Sequence, residues 1–346
     1  MKILIVSDAW HPQVNGVVRT LATVKGELEN LGHGVDVIGP EGFFTLPLPS
    51  YPEIRLAVAP GRRLTRLMDL ARPDAIHIAT EGPLGFAARR YCLRRRLPFT
   101  TAYHTRFPEY VRDRIPVPLA LSYAVVRRFH RPSAAVMVAT PSLEADLMAR
   151  GFGHLARWTR GVDTTLFCPA PVPGAAFGPD PAVFPFPRPI LLSVGRVAVE
   201  KNLEAFLRLP LPGTKVVVGD GPQRTELNQR YPDVQFLGAR HGAELARCYA
   251  GADVFAFPSR TDTFGLVLLE ALACGTPVAA FPVPGPQDVL GTGHPDGPVG
   301  ALNDDLQCAI QTALALPRSR CRDFALTYSW RASAEQFLEN LRPFLT

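Results

Sequence analysis

The sequence predicts an α/β protein in which two doubly wound parallel-sheet domains follow one another along the chain. Short apolar segments typical of buried strands alternate with segments whose apolar residues recur at helical spacing, and both halves show this alternation. A length of 346 residues fits two domains of ordinary size. Between the halves lies the proline-rich stretch 169–189, which we interpret as a stiff linker.

The first predicted domain spans residues 1–168. It opens with the apolar segment Lys2–Val6, interpreted as a strand rather than a signal peptide because it runs directly into Ser7 and Asp8. Helical spacing over Val17–Leu31 predicts a helix that ends at Gly32. The remaining predicted elements of this domain are strands at Val35–Ile38, Ala75–Ile78, Phe99–Ala102 and Val136–Ala139, and helices at Pro83–Arg96 and Ser142–Arg150.

The second predicted domain spans residues 190–327 and is followed by a C-terminal helix within 328–346. Ligands of doubly wound sheets bind at the carboxyl ends of the strands, so two such sheets predict a site in a cleft between them. Strands are predicted at Ile190–Val194, Lys215–Val218, Val234–Leu237, Val254–Ala256 and Pro277–Ala280, and helices at Asn202–Leu207, Gln223–Arg230, Glu244–Ala250 and Gly265–Ala273.

Composition narrows the class of protein. No apolar run approaches the roughly 18–20 residues that a membrane-spanning helix needs. The six cysteines are scattered without a Cys-x-x-Cys pair, which predicts reduced thiols in the cytosol rather than zinc ligands or disulfides. Residues 1–167 carry 22 basic and 14 acidic side chains, whereas the remainder carries 15 and 17. This asymmetry predicts an anionic partner; we find no nucleic-acid-binding motif, and an anionic membrane surface fits equally well.

The strongest motif is the strand-to-helix junction PSRTDTFGLVLLEA. Thr263, Phe264 and Gly265 stand where the helix begins, so free backbone N–H groups and the helix dipole suit a pyrophosphate or sugar hydroxyls. Glu270 follows in the helix, where a carboxylate can accept hydrogen bonds from ribose hydroxyls. The alternative is that Asp262 caps the helix and Glu270 is a solvated charge.

Other loops carry weaker signals. Arg196 and Lys201 follow a buried strand that ends at Gly195, so they can neutralise phosphates or belong to an ordinary surface loop. Gly16 lies in a loop before a helix and can bring backbone N–H groups close to phosphate, or form a simple turn. His104 follows a buried strand, where a functional and a structural role are both open. The turn Val218–Pro222 is open in the same way.

Taken together, these segments resemble the retaining glycosyltransferases of family 4, whose GT-B fold has two Rossmann-like domains facing a cleft. The resemblance covers nearly the whole chain, and the ending Ser329-Trp330 with its helix is similar to the family's C-terminal helix, which crosses back onto the first domain. It rests on Asp8, Asn15–Val17, Leu31–His33, Thr80–Pro83, Tyr103–Tyr110, Arg160–Asp163 with Phe167, Gly195–Arg196 with Glu200–Asn202, and Asp262–Glu270.

The resemblance implies a role for each matching residue. Glu270 would bind the ribose, while Arg196 and Lys201 would bind the pyrophosphate. Gly16 would approach the pyrophosphate from the other domain, and His104 would lie beside the sugar. The family's signature usually has glutamate at both ends, whereas here its first position is the shorter Asp262. The predicted catalytic residues are His104, Arg196, Lys201 and Asp262, and the predicted donor-binding residues are Gly16, Thr263, Phe264, Gly265 and Glu270.

The implied activity is transfer of a hexosyl group from a UDP- or GDP-hexose to an acceptor hydroxyl, with retention. The sequence looks most like the branch that glycosylates diacylglycerol or phosphatidyl lipids. The alternatives are a GDP-mannose-dependent mannosyltransferase acting on a polysaccharide or glycan precursor, a nucleotide-sugar epimerase of the same fold, and a non-catalytic lectin-like protein. An NAD-dependent oxidoreductase is disfavoured because no Gly-x-Gly-x-x-Gly follows the first strand.

No cofactor or metal is expected, because we find no Asp-x-Asp at a suitable strand end. Asp304 and Asp305 are interpreted as a helix cap and a first-turn acid. The expected location is the cytoplasm, with peripheral association at the inner membrane face as a hypothesis. That hypothesis depends on apolar Val117–Val126 and on the arginines around it, which are Arg89, Arg90, Arg94, Arg95, Arg96, Arg112, Arg114, Arg127, Arg128 and Arg131.

Overall fold

A computed structural model of the protein describes residues 1–13, 15–48, 51–112, 117–169, 183–291 and 293–344. The chain forms two compact units: Met1–Arg160 with Trp330–Thr346, and Gly161–Ser329. Residues 170–182 of the predicted linker, and Arg114 of the predicted basic cluster, lie outside the described residues. None of the described helices is long and apolar enough to cross a membrane.

Within the described residues, the first unit contains eight strands. They are β1 (Lys2–Val6), β2 (Gly34–Ile38), β3 (Thr45–Leu48), β4 (Tyr51–Ala57), β5 (Ala75–Ile78), β6 (Thr100–Ala102), β7 (Ala135–Val138) and β8 (Leu155–Arg157). Six of them form a parallel sheet in the order β2-β1-β5-β6-β7-β8. The pair β3-β4 forms a separate antiparallel ribbon.

Helices pack on the faces of this sheet. They are α1 (Gly16–Asn30), α2 (Gly61–Ala71), α3 (Pro83–Arg95), α4 (Phe107–Arg112), α5 (Leu119–His130) and α6 (Pro141–Ala149). The first of these begins where it does because the Asn15 side chain accepts hydrogen bonds from the backbone N–H groups of Val17 and Val18, each at 3.0 Å. Gly32 follows its end with a φ of +84°, a left-handed conformation that favours glycine.

The second unit repeats the same plan. Its strands are β9 (Ile190–Val194), β10 (Thr214–Val218), β11 (Gln235–Gly238), β12 (Val254–Phe257), β13 (Val278–Ala280) and β14 (Gly300–Leu302), which form a parallel sheet in the order β11-β10-β9-β12-β13-β14. A 3₁₀ turn covers Val199–Lys201. Its helices are α7 (Glu204–Leu207), α8 (Arg224–Arg230), α9 (Gly242–Gly251), α10 (Leu266–Ala273), α11 (Pro284–Leu290), α12 (Leu306–Ala313) and α13 (Arg318–Ala325).

Strand order reverses once in each sheet, between β1 and β5 in the first unit and between β9 and β12 in the second. Loops that leave the carboxyl ends of two such strands diverge to opposite faces of the sheet and open a crevice, which is where doubly wound folds bind ligands. The predicted α/β class with two doubly wound parallel sheets is therefore confirmed. Both crevices receive loops that the sequence singled out.

The final helix, α14 (Trp330–Asn340), belongs to the first unit. The Gln336 carboxamide oxygen accepts a hydrogen bond from the backbone N–H of Thr159 at 2.7 Å, and the Asn340 amide donates to the Arg157 carbonyl at 2.6 Å. Phe337 is fully buried among the apolar residues of this unit. The helix is thus held by both polar and apolar contacts.

The structure differs from the sequence prediction at the end of the first unit and at the helix predicted over 202–207. The first unit ends at Arg160 rather than at residue 168, because the Arg322 guanidinium of the second unit donates to the carbonyls of Thr164 and Phe167, at 3.0 and 2.8 Å. The predicted helix at 202–207 is shorter, since Asn202 adopts a φ of +50° that separates the 3₁₀ turn from α7. The roles predicted for Asp304 and Asp305 are also corrected: Asp305 caps α12, accepting from the Gln307 N–H at 2.9 Å, and no acidic residue lies in the first turn of this helix.

Candidate active site

The crevice of the second unit brings together two of the predicted charged loops. Because β9 and β12 are parallel neighbours, the loop after β9 and the loop after β12 leave the sheet side by side. The Asn202 amide donates to the Pro258 carbonyl at 3.0 Å, and the Thr261 hydroxyl donates to the Glu200 carbonyl at 3.3 Å. A small pocket between the loops is lined by Ser193, Val194, Gly195, Arg196, Lys201, Leu203, Val217, Phe257, Pro258 and Ser259.

Lys201 and Asp262 form an ion pair across these loops. The Lys201 Nζ lies 2.5 Å from the Asp262 Oδ1, and their side chains are 26% and 17% exposed. The other carboxylate oxygen, Oδ2, is buried and accepts no hydrogen bond from any described residue. The alternative interpretation, in which Asp262 caps the following helix, is therefore wrong. Asp262 instead presents an acceptor oxygen beside the Lys201 ammonium.

The start of α10 is shaped by glycine. Gly265 occupies the position before the helix with a φ of +85°, where no side chain supplies a capping hydrogen bond. A helix start leaves backbone N–H groups without partners in the helix, and the dipole there favours anions. Phe264 is buried, so its ring packs in the protein core, whereas Thr263 is partly exposed beside it.

Glu270 is buried rather than solvated. Its residue is 2% exposed, and its Oε2 accepts a hydrogen bond from the Tyr249 hydroxyl at 3.0 Å. The interpretation of Glu270 as a solvated helix charge is therefore wrong. A buried carboxylate held by a tyrosine has a defined orientation, which a ligand-binding group requires.

In the first unit, Asp8 holds the crevice loops together. It follows β1, and its carboxylate accepts from the Thr80 hydroxyl at 2.9 Å and from the backbone N–H groups of Leu84 and Gly85 at 2.9 and 3.2 Å. A Cβ at Gly82 would lie 2.4 Å from this carboxyl group, so the close approach requires glycine. Burial raises the pKa of the Asp8 carboxyl, while these donors act in the opposite direction. Asp8 thus anchors α3 in place.

The predicted contribution of Gly16 stays a prediction. Gly16 is the first residue of α1, next to the capping Asn15. The N–H groups of Val17 and Val18 donate to Asn15 rather than pointing to an open cradle. The backbone of this turn is therefore fixed by its own side chain.

His104 lies two residues after β6 and is in contact with Arg160, for which the sequence pattern predicts no role. The Arg160 Nη2 lies 3.3 Å from the His104 Nδ1, and the His104 ring meets the Trp158 ring edge-on with centroids 5.6 Å apart. Burial first, then the positive charge of Arg160 and then His77 and His130, hold the pKa of His104 well below 6.5. The imidazole at this strand end is neutral.

A second buried pair was also missed. The His130 ring lies with Nε2 3.1 Å from the Glu81 carboxylate and with Nδ1 2.9 Å from the Thr101 hydroxyl. Glu81 belongs to Thr80–Pro83, one of the segments that carry the family resemblance. His130 lies in α5, and the sequence analysis did not predict this helix. Among the described residues, no group of three or more histidine, cysteine, aspartate and glutamate side chains is arranged to hold a metal ion.

Two Rossmann-like units, each with polar and charged loops at its strand-order reversal, define a two-domain α/β protein with crevices of the kind in which doubly wound sheets bind ligands. Comparison with protein families agrees. Residues 14–166 match the model described as Glycosyltransferase Family 4, and residues 188–315 match the model described as Glycosyl transferases group 1.

Similar proteins and structures extend this comparison. A GDP-mannose-dependent alpha-mannosyltransferase of Mycobacterium tuberculosis is 31% identical over 98% of this chain and 95% of its own. A sulfoquinovosyl transferase of Arabidopsis thaliana is 29% identical over 87% of this chain and 62% of its own. Among solved structures, a sucrose-phosphate synthase from Thermosynechococcus elongatus aligns with a TM-score of 0.73 at 22% identity, covering 98% of this chain and 97% of that chain.

The chain belongs to glycosyltransferase family 4. The resemblance seen in the sequence is thereby confirmed, and so is the GT-B fold, since the units carry the two parallel sheets that this fold requires. The protein is a glycosyltransferase.

Proposed function

We propose that the protein transfers a hexosyl group from a nucleoside-diphosphate hexose to an acceptor hydroxyl, with retention at the anomeric carbon. The observation that carries this proposal is the cluster at the β9–β12 reversal. There Arg196 and Lys201 line one pocket, and Lys201 is paired with Asp262, which precedes the start of α10. Two cations and a helix start suit a diphosphate that gains negative charge as it leaves.

In this proposal the Lys201–Asp262 pair changes partners when donor binds. The Lys201 ammonium would turn toward a phosphate oxygen and donate a hydrogen bond to it. The buried Oδ2 of Asp262 would then accept a hydrogen bond from a hydroxyl of the sugar. An exchange of one charged acceptor for another keeps Lys201 compensated throughout. The shorter side chain of Asp262 suits this arrangement, because at 2.5 Å from Lys201 it already lies beside the cation.

Glu270 would bind the ribose of the donor. Its carboxylate is buried and oriented by the Tyr249 hydroxyl at 3.0 Å. Hydrogen bonds from two vicinal hydroxyls to one carboxylate are charge-assisted and thus stronger than bonds between neutral groups. The same contact is open to every nucleotide, so it contributes affinity and leaves the choice of base to other groups.

A lipid acceptor is the second part of the proposal, and it is supported by the surface formed by α3 and α5. The Arg89 guanidinium in α3 donates to the carbonyls of Phe129 and Arg128 in α5, at 2.9 and 3.0 Å, and the Phe86 and Phe129 rings meet edge-on at 4.9 Å. We call the surface formed by these two helices the basic face. Its exposed residues are Phe86, Arg90, Leu93, Arg94, Arg95, Ala120, Leu121, Val125, Arg127 and Arg128.

The composition of the basic face suits an anionic membrane. Phe86 and Leu93 of α3 are 42% and 44% exposed, and Leu121 and Val125 of α5 are 59% and 53% exposed. Apolar side chains flanked by arginines are typical of surfaces that enter the headgroup region of a bilayer. One similar protein is named for the glycolipid that it makes, an alpha-monoglucosyldiacylglycerol synthase of Streptococcus pneumoniae.

A second candidate function is mannosyl transfer from GDP-mannose to a glycan precursor. It is favoured by the similarity of nearly the whole chain to GDP-mannose-dependent alpha-mannosyltransferases. The two candidates share the donor site described above and differ in base, sugar and acceptor.

Nucleotide binding and transfer can be separated in one experiment. Thermal-shift screening against UDP, GDP, ADP and their hexoses should reveal one preferred nucleotide, with a stabilisation of about 2.7 kcal/mol at 100 times its dissociation constant. The preferred donor is then incubated with diacylglycerol, phosphatidylinositol or an oligosaccharide, and the anomeric configuration of the product is read by NMR. No binding of any nucleotide would contradict the proposal. Conversion of the donor sugar without acceptor would instead identify an epimerase.

A further inference from the structure

Arg160 is a buried cation held by neutral groups. The residue is 5% exposed, and its Nη1 donates to the carbonyls of Trp158 and Thr159 at 2.6 and 3.1 Å. Its guanidinium carbon lies 4.3 Å from the centroid of the Trp158 ring. No carboxylate of the described residues forms an ion pair with it. Burial of a charge without a counterion is costly. The role of Arg160 should therefore be sought in the few groups that its guanidinium contacts.

The remaining contact of Arg160 determines the chemistry of His104. The Arg160 Nη2 lies 3.3 Å from the His104 Nδ1. A guanidinium has only donors, so the ring nitrogen that faces it must be the acceptor. A neutral imidazole that accepts at Nδ1 carries its proton at Nε2. An imidazolium would set an N–H against an N–H at this contact.

We infer that Arg160 is a positioning residue that fixes His104 as the neutral tautomer with its proton on Nε2. The ring is also fixed in orientation, since Trp158 is fully buried and meets it edge-on at 5.6 Å and 68°. His104 therefore presents a hydrogen-bond donor at the carboxyl end of β6. Its only acceptor nitrogen is already occupied by Arg160.

The tautomer follows from the contact between Arg160 and His104, whereas its catalytic consequence rests on the proposed function. If His104 lies beside the donor sugar, its Nε2–H would hold a sugar hydroxyl or ring substituent in place. The same ring could not accept the proton of the attacking hydroxyl. Burial and the positive charge of Arg160 disfavour the imidazolium of His104, and His77 of β5 and His130 of α5 act in the same direction.

The direct test is NMR of the ¹⁵N-labelled full-length protein. Two-bond ¹H–¹⁵N spectra distinguish the two neutral tautomers and the imidazolium, and the His104 signals are assigned by their loss in His104→Gln. We expect the Nε2-protonated pattern from neutral to mildly acidic pH. Arg160→Met should release the other tautomer or allow protonation, Arg160→Lys should restore the pattern in part, and the exposed Arg331→Met serves as the matched control. A wild-type spectrum with the proton on Nδ1, or no change in a folded Arg160→Met, would overturn the inference.

Kinetics provide the second readout. Arg160→Met should lower kcat about 10- to 100-fold, as losing a group that orients a functional histidine does in metal sites. Arg160→Lys should recover part of this loss, and His104→Gln, whose amide can donate, should retain more activity than His104→Ala. Should Arg160→Met not fold, the wild-type spectrum and Arg160→Lys still decide. The expected tautomer in a protein without transferase activity would refute the proposed function and leave this inference standing.

Discussion

At the scale of single residues, Glu270 has a structural contact and a proposed role in ligand binding. The carboxylate is 2% exposed and accepts from the Tyr249 hydroxyl at 3.0 Å, so we expect its removal to affect both the fold and the proposed nucleotide site. A buried hydroxyl that loses its acceptor costs about 1–3 kcal/mol of stability. A variant of Glu270 must therefore be compared with one that removes only the tyrosine contact.

Glu270→Ala should weaken nucleotide binding about 10- to 150-fold, which corresponds to the roughly 1.5–3 kcal/mol of charge-assisted hydrogen bonds. Tyr249→Phe keeps the carboxylate and should weaken binding much less, although it also removes the contact between the two side chains. Titration calorimetry with the preferred nucleotide measures both. Unchanged affinity in a folded Glu270→Ala protein would show that the ribose binds elsewhere.

The two cations of the second unit lead to a prediction about metal dependence. Arg196 and Lys201 supply two positive charges at one pocket, of which the paired Asp262 offsets one until Lys201 turns to the donor, and the start of α10 adds about half a charge more. We expect transfer to survive EDTA, because these groups offset the charge of the departing diphosphate. Arg196→Ala or Lys201→Ala should reduce turnover about 10²- to 10³-fold.

Arg247→Ala is the matched control for this prediction, since Arg247 is exposed on α9 of the same unit, outside the pocket. Its activity should equal that of the wild type. Loss of activity in EDTA that magnesium or manganese restores would mean that Arg196 and Lys201 do not play this part.

At the scale of elements, the sequence shows the alternation of strands and helices along the chain. It does not show which strands lie next to one another in the sheet. Gly195–Asn202 and Asp262–Gly265 could be recognised as loops because each lies between an apolar strand segment and a segment with helical spacing. The contacts Lys201–Asp262 and His104–Arg160 could not, since they join residues 61 and 56 positions apart and depend on which strands are adjacent. Adjacency is set by sheet order, which leaves no local pattern in the sequence.

Some elements were missed although a signal was present. In α2, Leu64 and Met68 are buried and stand four residues apart, the spacing of one helix face. The neighbouring ribbon of β3 and β4 contains proline, which weakens a strand pattern. Helix α5 was also missed, and it carries His130. The contact between His130 and Glu81 could therefore not be predicted.

Helices α3 and α5 contact each other and together form the basic face. Membrane binding by this face can be tested with substitutions on these two helices. Substituting glutamate for Arg90, Arg94 and Arg128 of the basic face should weaken binding to anionic vesicles, since each basic residue near a membrane contributes about 1 kcal/mol. Binding of the wild type should rise with anionic lipid and fall with salt, because exposed charges are screened. Vesicle co-sedimentation measures both effects.

The control for this surface is the same charge change on the second unit, with Arg208, Arg240 and Arg247 reversed to glutamate. It should leave vesicle binding nearly as in the wild type. Equal binding of the wild type to neutral and anionic vesicles, or none to either, would refute the role of the basic face.

At the scale of the whole molecule, each unit has its own apolar core and its own crevice, and the first unit also buries a set of histidines. His77 is fully buried in β5, with its Nδ1 2.9 Å from the Thr100 hydroxyl and its ring against Trp158 and Phe337. All three tryptophans, Trp10, Trp158 and Trp330, belong to this unit. Their fluorescence therefore reports on unfolding of the first unit.

Burial, together with the charge of Arg160, lowers the pKa of His77 from 6.5 to about 3. Between pH 6.5 and pH 3 the unfolded chain binds a proton at His77 that the folded protein does not. The contribution of His77 to the free energy of unfolding is therefore greatest above pH 6.5 and decreases as the pH falls toward 3. The slope for one such histidine is about 1.4 kcal/mol per pH unit. His77→Asn keeps a polar partner for Thr100 and cannot titrate. In urea unfolding followed by tryptophan fluorescence, the stability advantage of the wild type over His77→Asn should shrink by this slope below pH 6.5. A difference that stays constant from pH 7 to about pH 5 would mean that His77 is not buried in the neutral form.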